Sequence, residues 1–82
     1  MKFEVGYFFA NYWQIQLKDT YIDDYEIANY LGLTKKKYIN ILISYRAVKP
    51  LGCLNYYFKN KEDAEKAIKE LEPILIMANL IN

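Results

Sequence analysis

Three consecutive lysines, Lys35, Lys36 and Lys37, open a segment whose spacing predicts a helix. The helix dipole is positive at that end, so each exposed cation there costs roughly 0.3–1 kcal/mol. A docked anion reverses the penalty, because free backbone N–H groups and lysines converge on it. With Arg46 and Lys49, residues 34–50 carry five positive charges and no acid. The pattern points to a phosphate backbone or an acidic protein face as partner. The competing reading is a solvated turn in a lysine-rich chain.

Other reactive groups are sparse. Asp19, Asp23, Asp24 and Glu26 form an acidic run. Paired carboxylates can hold a metal or move a proton. Two of these explain themselves better as helix capping, and no third ligand stands near them in sequence. There is no histidine, which removes the commonest general base and the usual nucleophile pairs. Cys53 is alone, so an internal disulfide and a cysteine-rich zinc site are both excluded. Neither a metal nor a cofactor is expected, and the chain does not read as an enzyme. Tyrosine is the abundant functional type. Tyr12, Tyr21, Tyr25, Tyr45 and Tyr57 fall off the apolar stripes. They read either as interface residues or as ordinary surface tyrosines.

Length and composition frame these groups. Eighty-two residues suit one domain, residues 1–82, around one core. With 54% hydrophobic and 26% charged residues the balance is globular. A formal net charge of +1 gives no global field to draw in nucleic acid or membrane. Ile, Lys, Tyr, Asn and Phe supply 40 of the 82 residues, a bias that matches A/T-rich codons and a low-GC bacterium or its phage. The longest apolar run is too short to span a membrane, and Glu4 interrupts the place of a signal-peptide core. The expected setting is the cytoplasm.

The elements that must position the lysines follow from periodicity. Residues 2–18 alternate, which predicts a hairpin. A three-residue loop at residues 10–12 would pair Phe9 with Trp13, Tyr7 with Ile15 and Val5 with Leu17, and would bury one apolar face. Residues 23–31 predict a helix capped by Asp23, with Ile27, Tyr30 and Leu31 as its stripe and Gly32 as its stop. Thr34 caps a second helix over 35–45, with Tyr38, Ile39, Leu42 and Ile43 facing in. Lys36, Lys37, Asn40 and Ser44 face out. Residues 49–52 form a turn with Pro50 second and Gly52 fourth. A short strand at 46–48 and another at 53–58 flank it, the latter with Leu54, Tyr56 and Phe58 on one face. Asn60 caps a third helix on Ala64, Ala67, Ile68 and Leu71, which Pro73 ends or kinks. Residues 74–78 read as either a buried helix or a strand.

The run Glu26-Ile27-Ala28, the Leu31-Gly32-Leu33 turn and the Thr34 cap resemble a helix-turn-helix unit over residues 23–46. With the following turn and strand the likeness to a winged helix extends to residue 58, the wing being 46–58. That resemblance implies that Lys35, Lys36, Lys37, Asn40 and Ser44 face DNA. The chain departs from the family in having two helices before the wing instead of three, and no arginine or glutamine on the second helix for a bidentate base contact. Residues 57–68 and the Leu71-Glu72-Pro73 that follows resemble the ends of short phage and prophage proteins. That likeness implies a small accessory protein that binds and redirects a host machine, as anti-CRISPR proteins do.

The sequence therefore predicts an α+β fold. An N-terminal hairpin precedes a helix-turn-helix-like pair, further strands follow, and a C-terminal helix packs on a small antiparallel sheet. Two functions stand open. One is a phage- or mobile-element-encoded inhibitor or adaptor that docks on a host protein or protein–nucleic-acid complex. The other is a DNA-binding regulator. The expected contact residues are Lys35, Lys36, Lys37, Asn40, Ser44, Arg46, Lys49, Tyr45 and Tyr57. No membrane partner is expected. A homodimer through Ile74, Leu75, Ile76, Met77, Leu80 and Ile81 is a further expectation, because a small core has limited room for them.

Overall fold

The computed structural model describes residues 2–8, 10–18 and 22–81, with residues 80 and 81 described by backbone only. Strand β1 (Phe3–Tyr7) pairs antiparallel with β2 (Trp13–Leu17), and Val5 lies opposite Ile15. Helices α1 (Asp24–Leu31), α2 (Lys35–Ser44) and α3 (Lys61–Ile81) follow. The fold is α+β, with α3 laid across the sheet.

The alternation selected the buried face correctly and the register wrongly by two residues. Trp13 faces Tyr7, not Phe9, and Phe9 itself lies outside the described residues. The Phe8 N–H donates to the Tyr12 carbonyl at 2.7 Å, so Tyr12 belongs to the paired arm and not to the loop. Ala10 and Asn11 both adopt positive φ there. A slip of two keeps every side chain on its face, so periodicity cannot detect it. Phe3, Ile15 and Leu17 enter the core, and Trp13 meets the Tyr7 ring edge-on at 5.1 Å. On the outer face Gln16 donates to Glu4 at 2.8 Å, its side chain lying across Gly6, where a Cβ would stand 2.6 Å from Oε1.

Both short helices begin and end on local signals. Asp23 accepts from the Glu26 N–H at 2.9 Å, and Thr34 from the Lys37 N–H at 3.1 Å. Each helix then closes in the same hydrogen-bond pattern, with a residue in the left-handed region. At the end of α1, Leu33 N–H donates to the Ala28 carbonyl and Gly32 supplies φ +70°. At the end of α2, Ala47 N–H donates to the Leu42 carbonyl at 3.0 Å, and the residue at φ +70° is Arg46. Two expected core residues, Tyr30 and Ile43, are exposed at the margins of the stripes.

The predicted strands at 46–48 and 53–58 reduce to isolated bridges, Val48 with Tyr57 and Phe58 with Trp13. Leu54 is 84% exposed, and Tyr57 and Phe58 are both buried. Without a regular strand the alternation has no force: consecutive residues bond to different neighbours and both go inside. The turn also shifts by one. Cys53 N–H donates to the Pro50 carbonyl at 3.0 Å and Gly52 has φ +82°. Glycine is thus third, where this turn geometry requires it.

Helix α3 runs through Pro73 instead of ending there. Proline leaves the Lys69 carbonyl without its helical donor. Both residues are exposed, so that carbonyl meets water. Ala64, Ala67, Ile68, Leu71 and Leu75 form the buried face, and the small alanines allow a close approach to the sheet. Asn60 contacts Asp63 through its side-chain amide at 3.4 Å.

Arg46 carries a backbone cost of about 1 kcal/mol that glycine would not. Arg46→Gly is expected to stabilise the fold by about 0.5–1 kcal/mol after the extra chain entropy of glycine is offset. A rise in the urea midpoint at unchanged slope is the measurement.

Candidate functional site

The start of α2, the end of the Pro50 turn and residue 56 enclose a shallow groove of about 440 Å³. Lys35, Lys36 and Asn40 line one wall, Lys49 and Leu54 the other, and Ile39 and Tyr56 complete it. Four of the nine expected contact residues therefore meet in one place. Lys37, Ser44 and Arg46 are exposed but stand outside the groove. Ser44 donates its hydroxyl to the Ile41 carbonyl at 2.6 Å. Tyr45 is half-buried and donates to Glu70 at 2.9 Å, a bond that raises its pKa. Tyr57 is the clear correction. It is 4% exposed, stacked on Phe8 at 4.4 Å, and no interface reaches it.

The groove is cationic and uncompensated. Among the described residues no carboxylate pairs with Lys36, Lys37 or Lys49. Lys35 Nζ sits 6.0 Å from the centroid of the exposed Tyr25 ring. The Thr34 cap leaves the N–H groups of Lys35 and Lys36 without intrahelical partners. Leu51 is fully exposed at the turn tip, and Leu54 is exposed at the rim of the groove. Alternation sets Leu54 on one face with Tyr56 and the buried Phe58. The signal that it belongs outside is its place four residues after proline, just past a turn.

One acid positions the far wall. Asp24, 6% exposed, accepts from the Tyr56 N–H at 2.8 Å, while its own N–H donates to Asn55 Oδ1 at 3.2 Å. This reciprocal pair fixes residues 55 and 56 against the start of α1, and with them one side of the groove. Asp24 is thus a latch and not the cap, a role that Asp23 fills. Burial is the main cause that pushes its carboxyl up from the usual 3.8 to about 6. The Tyr56 N–H opposes the rise, Asp23 adds to it and Lys35 opposes it. Close behind, Tyr38 is buried with its hydroxyl unpartnered, and burial with the charge of Asp24 raises its pKa well above the ordinary value.

Among the described residues no group of three or more acidic or cysteine side chains could hold a metal ion. Nor is any helix among them long and apolar enough to cross a membrane. No protein family, curated protein or solved structure matches this chain.

A carboxyl whose pKa is raised by folding stabilises the fold when protonated. That contribution is complete below about pH 4 and is lost as pH rises through about 6. Asp24→Asn keeps an oxygen for the Tyr56 N–H and removes the buried charge. Its stability relative to the parent is expected to grow by about 2–3 kcal/mol from pH 4 to pH 7. Urea unfolding of both proteins across that range measures the difference; a constant difference would mean that Asp24 does not titrate in this window.

Proposed function

We propose that the protein is a non-enzymatic binding protein that docks on an acidic, partly apolar face of a macromolecular partner through the α2 groove. The setting that fits the codon bias is the cytoplasm of a low-GC bacterium. The role that fits a chain this small is a phage- or mobile-element-encoded inhibitor or adaptor of a host protein or protein–nucleic-acid complex, in the manner of an anti-CRISPR. The observation that carries this reading is the combination at the groove. Lys35, Lys36 and Lys49 line it with Leu54, no carboxylate among the described residues forms an ion pair with them, and Leu51 is held out in water at the tip of the turn between Lys49 and Leu54. Phosphates alone would need only the cations. Exposed apolar side chains beside a charged cleft are what a protein face covers.

A DNA-reading alternative has its own support. Lys36, Lys37, Asn40 and Ser44 are all exposed along α2, behind the Thr34 cap, as the helix-turn-helix likeness implies. The two readings differ in which residues matter and in salt dependence. A DNA contact through several phosphates weakens steeply and linearly in log–log form.

The experiment is a pull-down from a low-GC bacterial lysate, with and without nuclease, using the parent and two variants. One variant carries Lys35→Glu, Lys36→Glu and Lys49→Glu, the other Leu51→Ser and Leu54→Ser. Capture of one protein is expected to survive nuclease and to fall about tenfold or more, about 1.4 kcal/mol, in each variant. Capture that nuclease abolishes, or that the leucine variant leaves unchanged, removes the protein-docking reading.

A further inference from the structure

The free edge of the sheet points to a second binding surface, away from the lysine groove. In the hairpin, Lys18 N–H donates to the Lys2 carbonyl and Phe8 N–H to the Tyr12 carbonyl. The pairs that exchange hydrogen bonds are therefore 2 with 18, 4 with 16, 6 with 14 and 8 with 12. The backbone groups of Phe3, Val5 and Tyr7 consequently turn away from β2. On β2 the same alternation turns Trp13 outward, and there Phe58 exchanges both bonds with it at 2.7 Å. Nothing among the described residues does this for β1. Neither proline nor a bulge blunts its edge, which leaves a template for another strand.

Beside that edge runs a groove of about 470 Å³. Phe3, Glu4 and Val5 form its upper wall. Lys61, Glu65, Lys69 and Glu72 of α3 line it below, with Ile68 between them. Among the described residues none of Glu65, Lys69 and Glu72 has an ion-pair partner.

We infer that this edge pairs with β1 of a second copy of the chain, giving a two-fold dimer with a continuous four-stranded sheet. The strand is self-complementary. With Val5 on the axis, Phe3 meets Tyr7 of the second copy, and Glu4 meets Gly6 instead of another Glu4. The outward groups of residues 3, 5 and 7 then pair with one another, two bonds per facing pair. Tyr7, exposed in the single chain, gains an aromatic neighbour on the covered face.

The helices agree with this symmetry. Lys2 lies by Glu72, Leu75 and Ile76 at one end of the sheet, and Lys61 Nζ sits 5.6 Å from the Trp13 ring at the other. Helix α3 is therefore antiparallel to β1. The same two-fold sets α3 antiparallel to its copy, so that the two flanks of alternating charge, each made of Lys61, Glu65, Lys69 and Glu72, run past each other in opposite directions. Strands spaced about 4.8 Å apart put the centres of the two hairpins about 10 Å apart. Helices pack at about 8–10 Å, so each α3 can stay beneath its own hairpin. A foreign strand would gain the backbone bonds but not this charge order. The surface also differs from a dimer built on the C-terminal tail alone, where Ile76 and Met77 are exposed at 59% and 57%.

The Val5 N–H points outward, so Val5→Pro spares the hairpin's own bonds and blocks the edge. The full chain is expected to sediment as a dimer at high micromolar concentration. Val5→Pro, its fold checked by circular dichroism, is expected to raise the dimer Kd by at least ~tenfold. Two further variants decide the matter if the proline disturbs the fold. Glu65→Lys with Glu72→Lys makes the flank wholly basic, and Lys61→Glu with Lys69→Glu makes it wholly acidic. Each alone is expected to be monomeric, and an equal mixture is expected to form a heterodimer. A parent chain that stays monomeric to about 500 µM overturns the proposal. So does a folded Val5→Pro protein that dimerises like the parent, or a mixture that fails to associate. Binding of an unrelated extended peptide by a monomeric parent would mark the edge as a site for a foreign strand instead.

Discussion

Sixteen residues with no helix or strand, 45–60, join α2 to α3 and must cross a small core without leaving buried backbone groups unpaired. The carboxylate of Asp24 meets the most demanding part of that constraint. It accepts the Tyr56 N–H from inside the fold, and Asn55 answers by accepting the free N–H at the first turn of α1. Val48 and Trp13 satisfy the next two residues through their backbones. The path of the connector follows from these ties. So does the placement of Lys49, Leu54 and Tyr56 opposite the lysines of α2. A buried charge is a costly way to hold a loop, and its raised pKa is the record of that cost.

The second structural demand comes from the sheet. Two strands alone are marginal in water, and a helix on one face is what makes them persist. Helix α3 supplies the cover with Ala64 and Ala67 where it must lie close, and with Ile68, Leu71 and Leu75 where there is volume to fill. A 21-residue helix reaches along the whole sheet and past it. Its buried side serves the core. One flank of charged residues remains beside the edge of β1 that no described residue pairs with, and the lysine groove lies on other elements altogether. The molecule thus presents two surfaces of different chemistry, one cationic with apolar knobs and one of backbone hydrogen-bonding groups.

What the sequence made legible was local. Asp23, Thr34 and Gly32 act within a turn of their own helices, and each stands in the predicted role. The lysine cluster was equally plain, since adjacency alone gathers Lys35 and Lys36. Its opposite wall was not, because Lys49, Leu54 and Tyr56 arrive there through a contact made to Asp24, some thirty residues away. The hairpin face was readable from parity, whereas its register depended on where Ala10 and Asn11 could take positive φ. Tyr57 looked like a surface aromatic because alternation was applied to a segment that forms bridges and no strand. Pro73 looked like a terminator because proline breaks isolated helices. Here packing on both sides of it carries the helix through, with Leu71 and Leu75 buried a turn apart.

The exposed turn at Leu51 has a consequence for the integrity of the chain. Projecting loop tips are where peptide bonds are most easily cut. A cut there would leave the hairpin with α1 and α2 on one piece, and Phe58 with α3 on the other. Neither piece holds a complete core: Leu17, Ile27 and Leu42 lie on the first, Phe58, Ala67 and Leu71 on the second. The ties that cross the divide, Trp13 to Phe58, Val48 to Tyr57 and Asp24 to Tyr56, are all non-covalent and need no intact connector. The residue 51–52 junction is therefore a natural split point, at which two half-proteins would report on each other by reassembling.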